Sequence, residues 1–290
     1  MPAPRDPFPS DEEIQAANAG LVAVVRRHLP TGFYARSAHW SLWSTVALVR
    51  MADTVDAAMA LMKGMQDVDG RTLIRSLYEQ VVTYAWIAID PGPRYSRWFG
   101  ESVWADLRLH NDAVTFGEWV LTEEEVVRST HLLGLGEARG ADAAADTCQG
   151  TRKRKTPAAD LLLPAVPERA RDADAHWSTR IAGLHAPGSM LSFRGLYLPA
   201  YRQMSRATHS ALSGLDVYVR ERSHHKVVGP ARRPSRLAWA LVGPMFGMGL
   251  IIAAQDEAKW WIDEREVRAL VDRATGPAPE GASATRVDGA

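Results

Sequence analysis

Four polar residues recur at helical spacing in one short segment, YRQMSRATHS, which covers residues 201–210. Arg202, Ser205, Arg206 and His209 stand at positions i, i+3, i+4 and i+7, so on a helix they form one continuous stripe. Histidine can take a proton near neutral pH, and arginine can hold a phosphate and stabilise its developing charge. A metal-independent ribonuclease needs these two roles. The stripe therefore predicts a catalytic row in which His209 is the base and Arg202 and Arg206 are the phosphate clamp.

The same stripe also fits a structural role, because an earlier helix offers partners for it. In RTLIRSLYEQ, Arg75 and Glu79 stand four residues apart and share a helix face whose surroundings are apolar. An arginine and a glutamate near the centre of such a helix must pair to be tolerated. A buried polar network of Arg75, Glu79, Ser205 and His209 that fixes helix packing is favoured over a catalytic site, and both interpretations stay open.

No pattern in the sequence is typical of a metal or nucleotide site. Glu221 and His224 have the Glu-x-x-His spacing of di-iron bundles, but the second copy and the further glutamates of such bundles do not accompany them. The GLGEARG stretch at 134–140 follows no strand and lacks the Gly-Lys-Ser/Thr ending of a phosphate loop. The single cysteine, Cys148, excludes an internal disulfide and favours a reducing compartment. We therefore expect no metal and no cofactor.

The charges balance over the 290 residues but are distributed unevenly along the chain. Residues 1–150 contain 13 Lys or Arg against 20 Asp or Glu, whereas residues 152–236 contain 16 against 6. This asymmetry predicts an acidic partner, with RNA as one candidate. Packing of the acidic half against the basic half also explains it, and we favour that interpretation slightly, because the whole chain carries no excess charge. The basic region opens on a run of four cations, which are Arg152, Lys153, Arg154 and Lys155.

Helical periodicity and helix-end signals predict an all-α fold, a bundle of about seven to eight helices with disordered termini. Residues 1–10 are expected to form a flexible arm and residues 275–290 a disordered tail. Between them we predict a single helical domain, residues 11–274, with a mobile basic connection at about 140–157. The predicted helices cover about 11–29, 37–63, 70–89, 94–120, 123–133, 158–182, 196–222 and 235–271.

The stretch at 237–254 is uncharged over 18 residues and follows three arginines, which reaches the lower length limit for a membrane span. Gly243, Pro244, Gly247 and Gly249 dilute its apolar content. A helix that is buried on all sides of a large bundle gives the same pattern, and we favour that interpretation over membrane association. Because the N-terminal residues have no apolar core, we predict no secretory signal and a cytoplasmic protein.

Two longer motifs together resemble a known family. RSLYEQVVTYAWIAIDPGPRYSRWF, at 75–99, and YLPAYRQMSRATHSALSG, at 197–214, are similar to the bacterial domain of unknown function 5677. The resemblance covers roughly residues 35–225 and implies a helical fold without an established activity.

A looser resemblance is to the HEPN superfamily, helical domains that include metal-independent ribonucleases of toxin–antitoxin and phage-defence systems. Arg202 and His209, separated by six residues, fit the signature of that superfamily, although Gln203 stands where Asn, Asp or His is usual.

Two principal functions therefore stay open, and with them the question of whether the chain is an enzyme. The favoured one is a non-catalytic interaction or sensor domain. The other is a HEPN-like ribonuclease, as a homodimer that pairs two His209 stripes across a basic groove. A small-ligand pocket lined by some of the ten tryptophans is a third alternative.

Overall fold

The chain forms two compact units, Met1–Ile89 together with Val166–Ala290, and Asp90–Ala165. This division does not decide whether residues 11–274 form a single helical domain, which stays a prediction. Most of the predicted arm at 1–10, of the predicted connection at about 140–157 and of the predicted tail at 275–290 lies outside the described residues. The computed structural model describes residues 9–27, 39–64, 67–118, 120–133, 157–186, 189–208, 219–222, 225–228, 236–255 and 261–276.

The predicted all-α class is confirmed, because helices build both units and the strands of the described part form only two short antiparallel pairs. In chain order the elements are α1 (Asp11–Arg26), α2 (His39–Lys63), α3 (Asp67–Ile89), α4 (Pro91–Val114), α5 (Glu123–Leu132), a 3-10 helix (Ala159–Leu161), α6 (Val166–Trp177), β1 (His185–Ala186), β2 (Ser189–Met190), α7 (Phe193–Leu196), a π-helical turn (Tyr197–Arg202), α8 (Gln203–Thr208), β3 (Val219–Arg222), β4 (His225–Val228), α9 (Arg236–Gln255) and α10 (Glu264–Thr275).

Two helices begin at capping boxes. The Ser10 hydroxyl accepts from the Glu13 backbone N–H at 3.2 Å, and the Glu13 carboxylate accepts from the Ser10 N–H at 2.7 Å. Thr122 and Glu125 make the same reciprocal pair at the start of α5. Each box satisfies backbone donors that the first turn of a helix leaves without partners, so these starts are fixed locally.

α3 is the central helix of the larger unit, where it packs against α2, α6, α8 and α9. Its aromatic side chains are buried, and one of them reaches α6, because Trp86 donates from Nε1 to the Asp172 carboxylate at 3.2 Å. In the opposite direction, Trp177 of α6 donates to the Ala85 carbonyl at 3.0 Å. These two bonds fix α6 along α3.

The apolar stretch at 237–254 lies in α9, which packs against α1, α2, α3 and α10. The helix is long and apolar enough to cross a membrane, but 89% of its Ala238–Gln255 window is buried inside the protein. A Cβ atom at Gly247 would overlap the Val271 side chain, so this glycine allows α10 to approach closely. Burial on all sides favours the core-helix interpretation over a membrane span.

The predicted last helix, 235–271, is wrong as a single element. α9 ends at Gln255, and α10 begins at Glu264 after the N-cap Asp263, whose carboxylate accepts from the Arg265 N–H at 2.9 Å. The break lets α10 pack against both α1 and α9 and bury its apolar face there.

The predicted helix at 196–222 is also wrong at its end. Residues 219–222 form β3, which pairs with β4 so that Glu221 stands opposite Lys226. Val219 of β3 stands opposite Val228 of β4, and branched side chains favour strands. The Glu-x-x-His spacing therefore begins on a strand, and His224 lies outside the described residues.

Two further helices are shorter than predicted. α4 ends at Val114 rather than near residue 120, and residues 158–182 contain the 3-10 helix and α6 instead of one continuous helix. Pro164 precedes α6, and a proline disfavours helical backbone at the residue before it.

Candidate functional site

The structure describes only the first half of the predicted catalytic row, Arg202 and Ser205. Arg202 is exposed at the end of the π-helical turn, and Ser205 is half-buried in α8. Arg206 belongs to α8, but its side chain lies outside the described part, as does His209. The basic run 152–155 lies outside it as well. Among the described residues, no three His, Cys, Asp or Glu side chains come together as a group that could hold a metal ion.

A π-helical turn carries Arg202 and connects α7 to α8. The Gln203 N–H donates to the Leu198 carbonyl, five residues back instead of four. Pro199 stands inside the turn and has no N–H to donate, so the regular α-helical ladder is interrupted there. Such widened turns are frequent at functional sites. The turn therefore marks this segment as a candidate site on geometry alone.

The start of α7 is anchored on α6. The Asp174 carboxylate accepts from the backbone N–H groups of Phe193 at 2.7 Å and Arg194 at 2.9 Å. The Ser192 hydroxyl caps the same helix by accepting from the Gly195 N–H at 2.8 Å. Burial raises the pKa of Asp174, and the two backbone donors oppose that rise. These contacts hold the segment that leads into the turn at one point on α6.

Three tyrosines pack where the turn meets α3. The rings of Tyr197 and Tyr201 stack with their centroids 5.3 Å apart and their planes 20° from parallel. Tyr78 of α3 lies tilted against both, at 5.9 Å from Tyr201 and 6.4 Å from Tyr197. Its hydroxyl donates to the Phe193 carbonyl at 2.7 Å, and burial raises its pKa, so it is a neutral phenol at physiological pH. The tyrosines thus fix the face of the turn that meets α3.

Arg75 meets the turn at the Tyr201 ring. Its guanidinium carbon lies 4.9 Å from the ring centroid, which is a cation–π contact, and its Nη2 atom lies 3.5 Å from the Tyr201 hydroxyl. The 3.5 Å separation is long for a hydrogen bond, so the ring is the principal partner. Among the described residues, no carboxylate pairs with Arg75, although Glu79 stands one turn away on the same helix.

Glu79 instead faces a second arginine, which comes from α6. Nη2 of Arg169 lies 3.7 Å from the Glu79 carboxylate, and Nη1 donates to the Thr83 hydroxyl. That hydroxyl donates in turn to the Glu79 carbonyl at 2.6 Å. The Arg169 side chain is only 6% exposed, whereas Glu79 is 43% exposed. We call Glu79, Thr83 and Arg169 the arginine lock, since it joins α3 to α6 at the edge of the core.

Ser205 uses its hydroxyl proton within its own helix, where it donates to the Tyr201 carbonyl at 2.6 Å. Arg75 and Ser205 therefore contact the same residue, Tyr201, one at the ring and one at the backbone. Glu79 belongs to the separate arginine lock. Within the described residues, the predicted network of Arg75, Glu79 and Ser205 is thus divided between two neighbouring contacts on α3.

A family model described as a family of unknown function (DUF5677) matches residues 42–226 of the chain. The chain belongs to this family. The DUF5677 region includes α3, α6 and the π-helical turn, and hence all the contacts described above, whereas α1, α9 and α10 lie outside it. No curated protein and no solved structure matches the chain. The looser resemblance to the HEPN superfamily stays a prediction.

Sequence reasoning did not predict three residues of this part of the DUF5677 region, which are Arg169, Tyr197 and Tyr201. The two tyrosines stand four residues apart, a spacing that places both rings on one helical face and could have indicated a shared partner. Arg169 precedes Ala170 and lies one turn before Ala173, both of which are buried. A charge within such an apolar face indicates a buried ion pair, but the partner on α3 has no local signal.

Proposed function

We propose that the chain is a non-catalytic interaction or sensor domain whose polar cluster on α3 holds the fold together. The arginine lock is the observation that carries this proposal. Arg169 is almost completely buried and has two partners, so it is placed to join helices rather than to meet a substrate. Ser205 likewise uses its proton inside α8. Both arrangements are those of packing residues.

The ligand of such a domain is an acidic partner that binds the basic region 152–236, with RNA as the leading candidate. This region contains 16 Lys or Arg against 6 Asp or Glu, while the whole chain is neutral. A concentration of positive charge of this kind attracts polyanions and makes their binding sensitive to salt.

Binding and cleavage should be measured on the same full-length protein in EDTA. The probes are a fluorescent single-stranded RNA of about 20 nucleotides, which carries one phosphate charge per linkage, and a polyglutamate peptide of equal length. We expect salt-sensitive binding of at least one probe, read by anisotropy, and intact RNA on a denaturing gel. Absence of binding to both probes would contradict the interaction domain.

The second candidate is a HEPN-like metal-independent ribonuclease, and the exposure of Arg202 favours it. Arg202 ends the π-helical turn, is open to solvent and has no partner among the described residues. In this proposal His209 removes the proton of an RNA 2′-hydroxyl, whose oxygen attacks the adjacent phosphorus. Arg202 and Arg206 stabilise the phosphate charge while the 5′-oxygen leaves, so the product ends in a 2′,3′-cyclic phosphate. A homodimer would bring two such rows together.

This second candidate makes a different prediction for the same RNA. The wild-type protein would cleave it in EDTA and leave cyclic phosphate ends, whereas His209→Ala would retain less than about 1% of the activity, since a general base contributes about 100-fold or more. Equal cleavage by the variant would exclude His209 as the base. A melting temperature measured in parallel shows whether the variant is folded.

A further inference from the structure

Nothing in the described part of the chain neutralises the charge of Arg75. Its side chain is half-buried, and its Nε–H is buried without a hydrogen-bond partner among the described residues. The nearby carboxylate that could pair with it, Glu79, faces Arg169 instead. A guanidinium that has lost part of its hydration and gained no anion is unfavourable unless a ligand supplies the anion.

The contact with Tyr201 prepares Arg75 for such a ligand. The ring lies under the guanidinium at 4.9 Å and restricts its plane, and among the described contacts only the long one between Nη2 and the Tyr201 hydroxyl, at 3.5 Å, involves a donor on its edge. Stacking of Tyr201 on Tyr197, and the packing of both against Tyr78, hold the ring in place. A planar group held in this way loses little conformational freedom when it binds a tetrahedral oxyanion.

A second arginine, which is exposed, lies on the π-helical turn. Arg202 directly follows Tyr201 in the chain, is exposed, and has no partner among the described residues. The half-buried ring of Tyr201 thus contacts Arg75 and immediately precedes Arg202 in the chain, and neither arginine has a described counter-ion. Arginines beside aromatic rings are typical of surfaces that bind single-stranded nucleic acid, where rings receive bases and arginines receive phosphates.

We propose that Arg75, held against the ring of Tyr201, forms a phosphate-binding site for a nucleotide or for the backbone of single-stranded RNA. This proposal rests on the proposed interaction function and specifies its ligand. A carboxylate-bearing peptide is the competing ligand, and the aromatic surroundings favour the phosphate of a nucleotide.

Arg75→Gln is the variant that tests the site, and the chain offers a matched control. Arg108 also lies over an aromatic ring, Trp104, at 5.7 Å, but it has a carboxylate partner, Glu101, at 3.9 Å. The probes are inorganic phosphate, adenosine monophosphate, a fluorescent single-stranded RNA of about 12 nucleotides and a polyglutamate peptide of equal length, each titrated in EDTA.

We expect Arg75→Gln to weaken RNA binding about tenfold, because a charge-assisted hydrogen bond is lost, and to reduce the salt slope by about 0.7. Arg108→Gln should bind RNA within about twofold of the wild type, because its charge already has a partner. Inorganic phosphate should bind the wild type and compete with the RNA. Saturable binding of adenosine monophosphate tighter than that of phosphate would identify a nucleotide as the ligand, and equal affinities would identify the phosphate alone.

An RNA affinity of Arg75→Gln equal to that of the wild type would overturn the site and leave the interaction function intact. An equal loss in Arg108→Gln, or an equal loss of polyglutamate binding, would overturn the assignment to phosphate at this position. If the wild type binds none of the probes, both proposals fail.

Circular dichroism shows whether Arg75→Gln folds. If Arg75→Gln does not fold, the same binding experiments are done with Arg75→Lys. Lysine keeps the charge but loses the stacked plane, so a loss of about threefold is expected, and an unchanged affinity contradicts the site.

Discussion

Arg169 contacts α3 from α6, whereas Arg75 belongs to α3 and contacts the π-helical turn, and the difference in their partners assigns them different roles. Arg169 is buried and held by Glu79 and by Thr83. Arg75 is half-buried and held by an aromatic ring. A buried charge with partners is strongly destabilising once a partner is removed, whereas a cation on a ring keeps its donors available. We therefore assign Arg169 to the stability of the fold and Arg75 to the binding of a ligand.

The arginine lock predicts the effect of Thr83→Val. The substitution keeps the shape but removes the hydroxyl that receives Arg169, so we expect a loss of about 1.5–3 kcal/mol in the free energy of unfolding. Thr275→Val is the matched control, because Thr275 is also buried and donates to the Val271 carbonyl one turn back, without an arginine. It should cost less than about 1 kcal/mol. Urea denaturation followed by circular dichroism measures both values, and equal losses would contradict the lock.

Among the elements, α9 and α10 show how small residues set helix separation in the core. Gly247 faces Val271 so closely that a Cβ atom would overlap it, while a Cβ atom at Gly249 would meet Met51 Sδ at an ordinary 3.5 Å. Both glycines lie in the same buried helix. Alanine substitutions at these two glycines therefore separate the effect of close packing from the effect of helix propensity.

Gly247→Ala should destabilise the protein by about 1–3 kcal/mol, because the added methyl group forces α10 away from α9. Gly249→Ala should be neutral or stabilising by up to about 1 kcal/mol, since alanine is the better helix former and space is available. Thermal unfolding of the two variants distinguishes them. A loss at both positions would show that this helix tolerates no added volume and would contradict the specific contact with Val271.

The ends of α1 and α10 are joined by an exposed ion pair, which gives a pH dependence of known sign. Arg27 donates to both oxygens of Glu266, at 2.8 and 3.1 Å, and this contact lowers the pKa of Glu266. The stabilisation is therefore present above the ordinary pKa of glutamate, about 4.3, and is lost as pH falls through the lowered value. Glu266→Gln should lower the melting temperature slightly at pH 7, and the difference from the wild type should shrink as the pH falls through the acidic range. It should also shrink in about 0.5 M salt, because the pair is exposed. A difference that persists at low pH would assign the effect to packing.

Over the whole molecule, the features that the sequence predicts are those with local causes. The starts of α1 and α5 and the apolar surroundings of Arg75 and Glu79 on α3 are each encoded within one or two turns, and the structure confirms them. The start of α10 has a local signal in the N-cap Asp263, whereas the pairing of Glu79 with Arg169 depends on residues far apart in the chain, so no local pattern specifies it. The catalytic row that ends at His209 stays a prediction for the same reason, because its chemistry depends on which side chains meet it.

The division into two compact units makes a prediction about how stability is distributed. In the unit Asp90–Ala165, His110 is fully buried, and its Nδ1 atom accepts from the Leu121 N–H at 3.0 Å. His110→Ala removes this acceptor and the ring, so the segment that connects α4 to α5 should lose about 1–2 kcal/mol of protection from amide hydrogen exchange. His110→Asn supplies a carbonyl oxygen as an acceptor and should recover part of the loss.

The same exchange experiment tests whether the two units are separate cooperative elements. If they are, the amides of α3 should keep wild-type protection in His110→Ala, because α3 belongs to the other unit. An equal loss of protection in α3 would show that the chain unfolds as the single helical domain that its sequence predicts. Since compact units of one chain open with their own free energies when few contacts join them, we expect the loss to stay within residues 90–133.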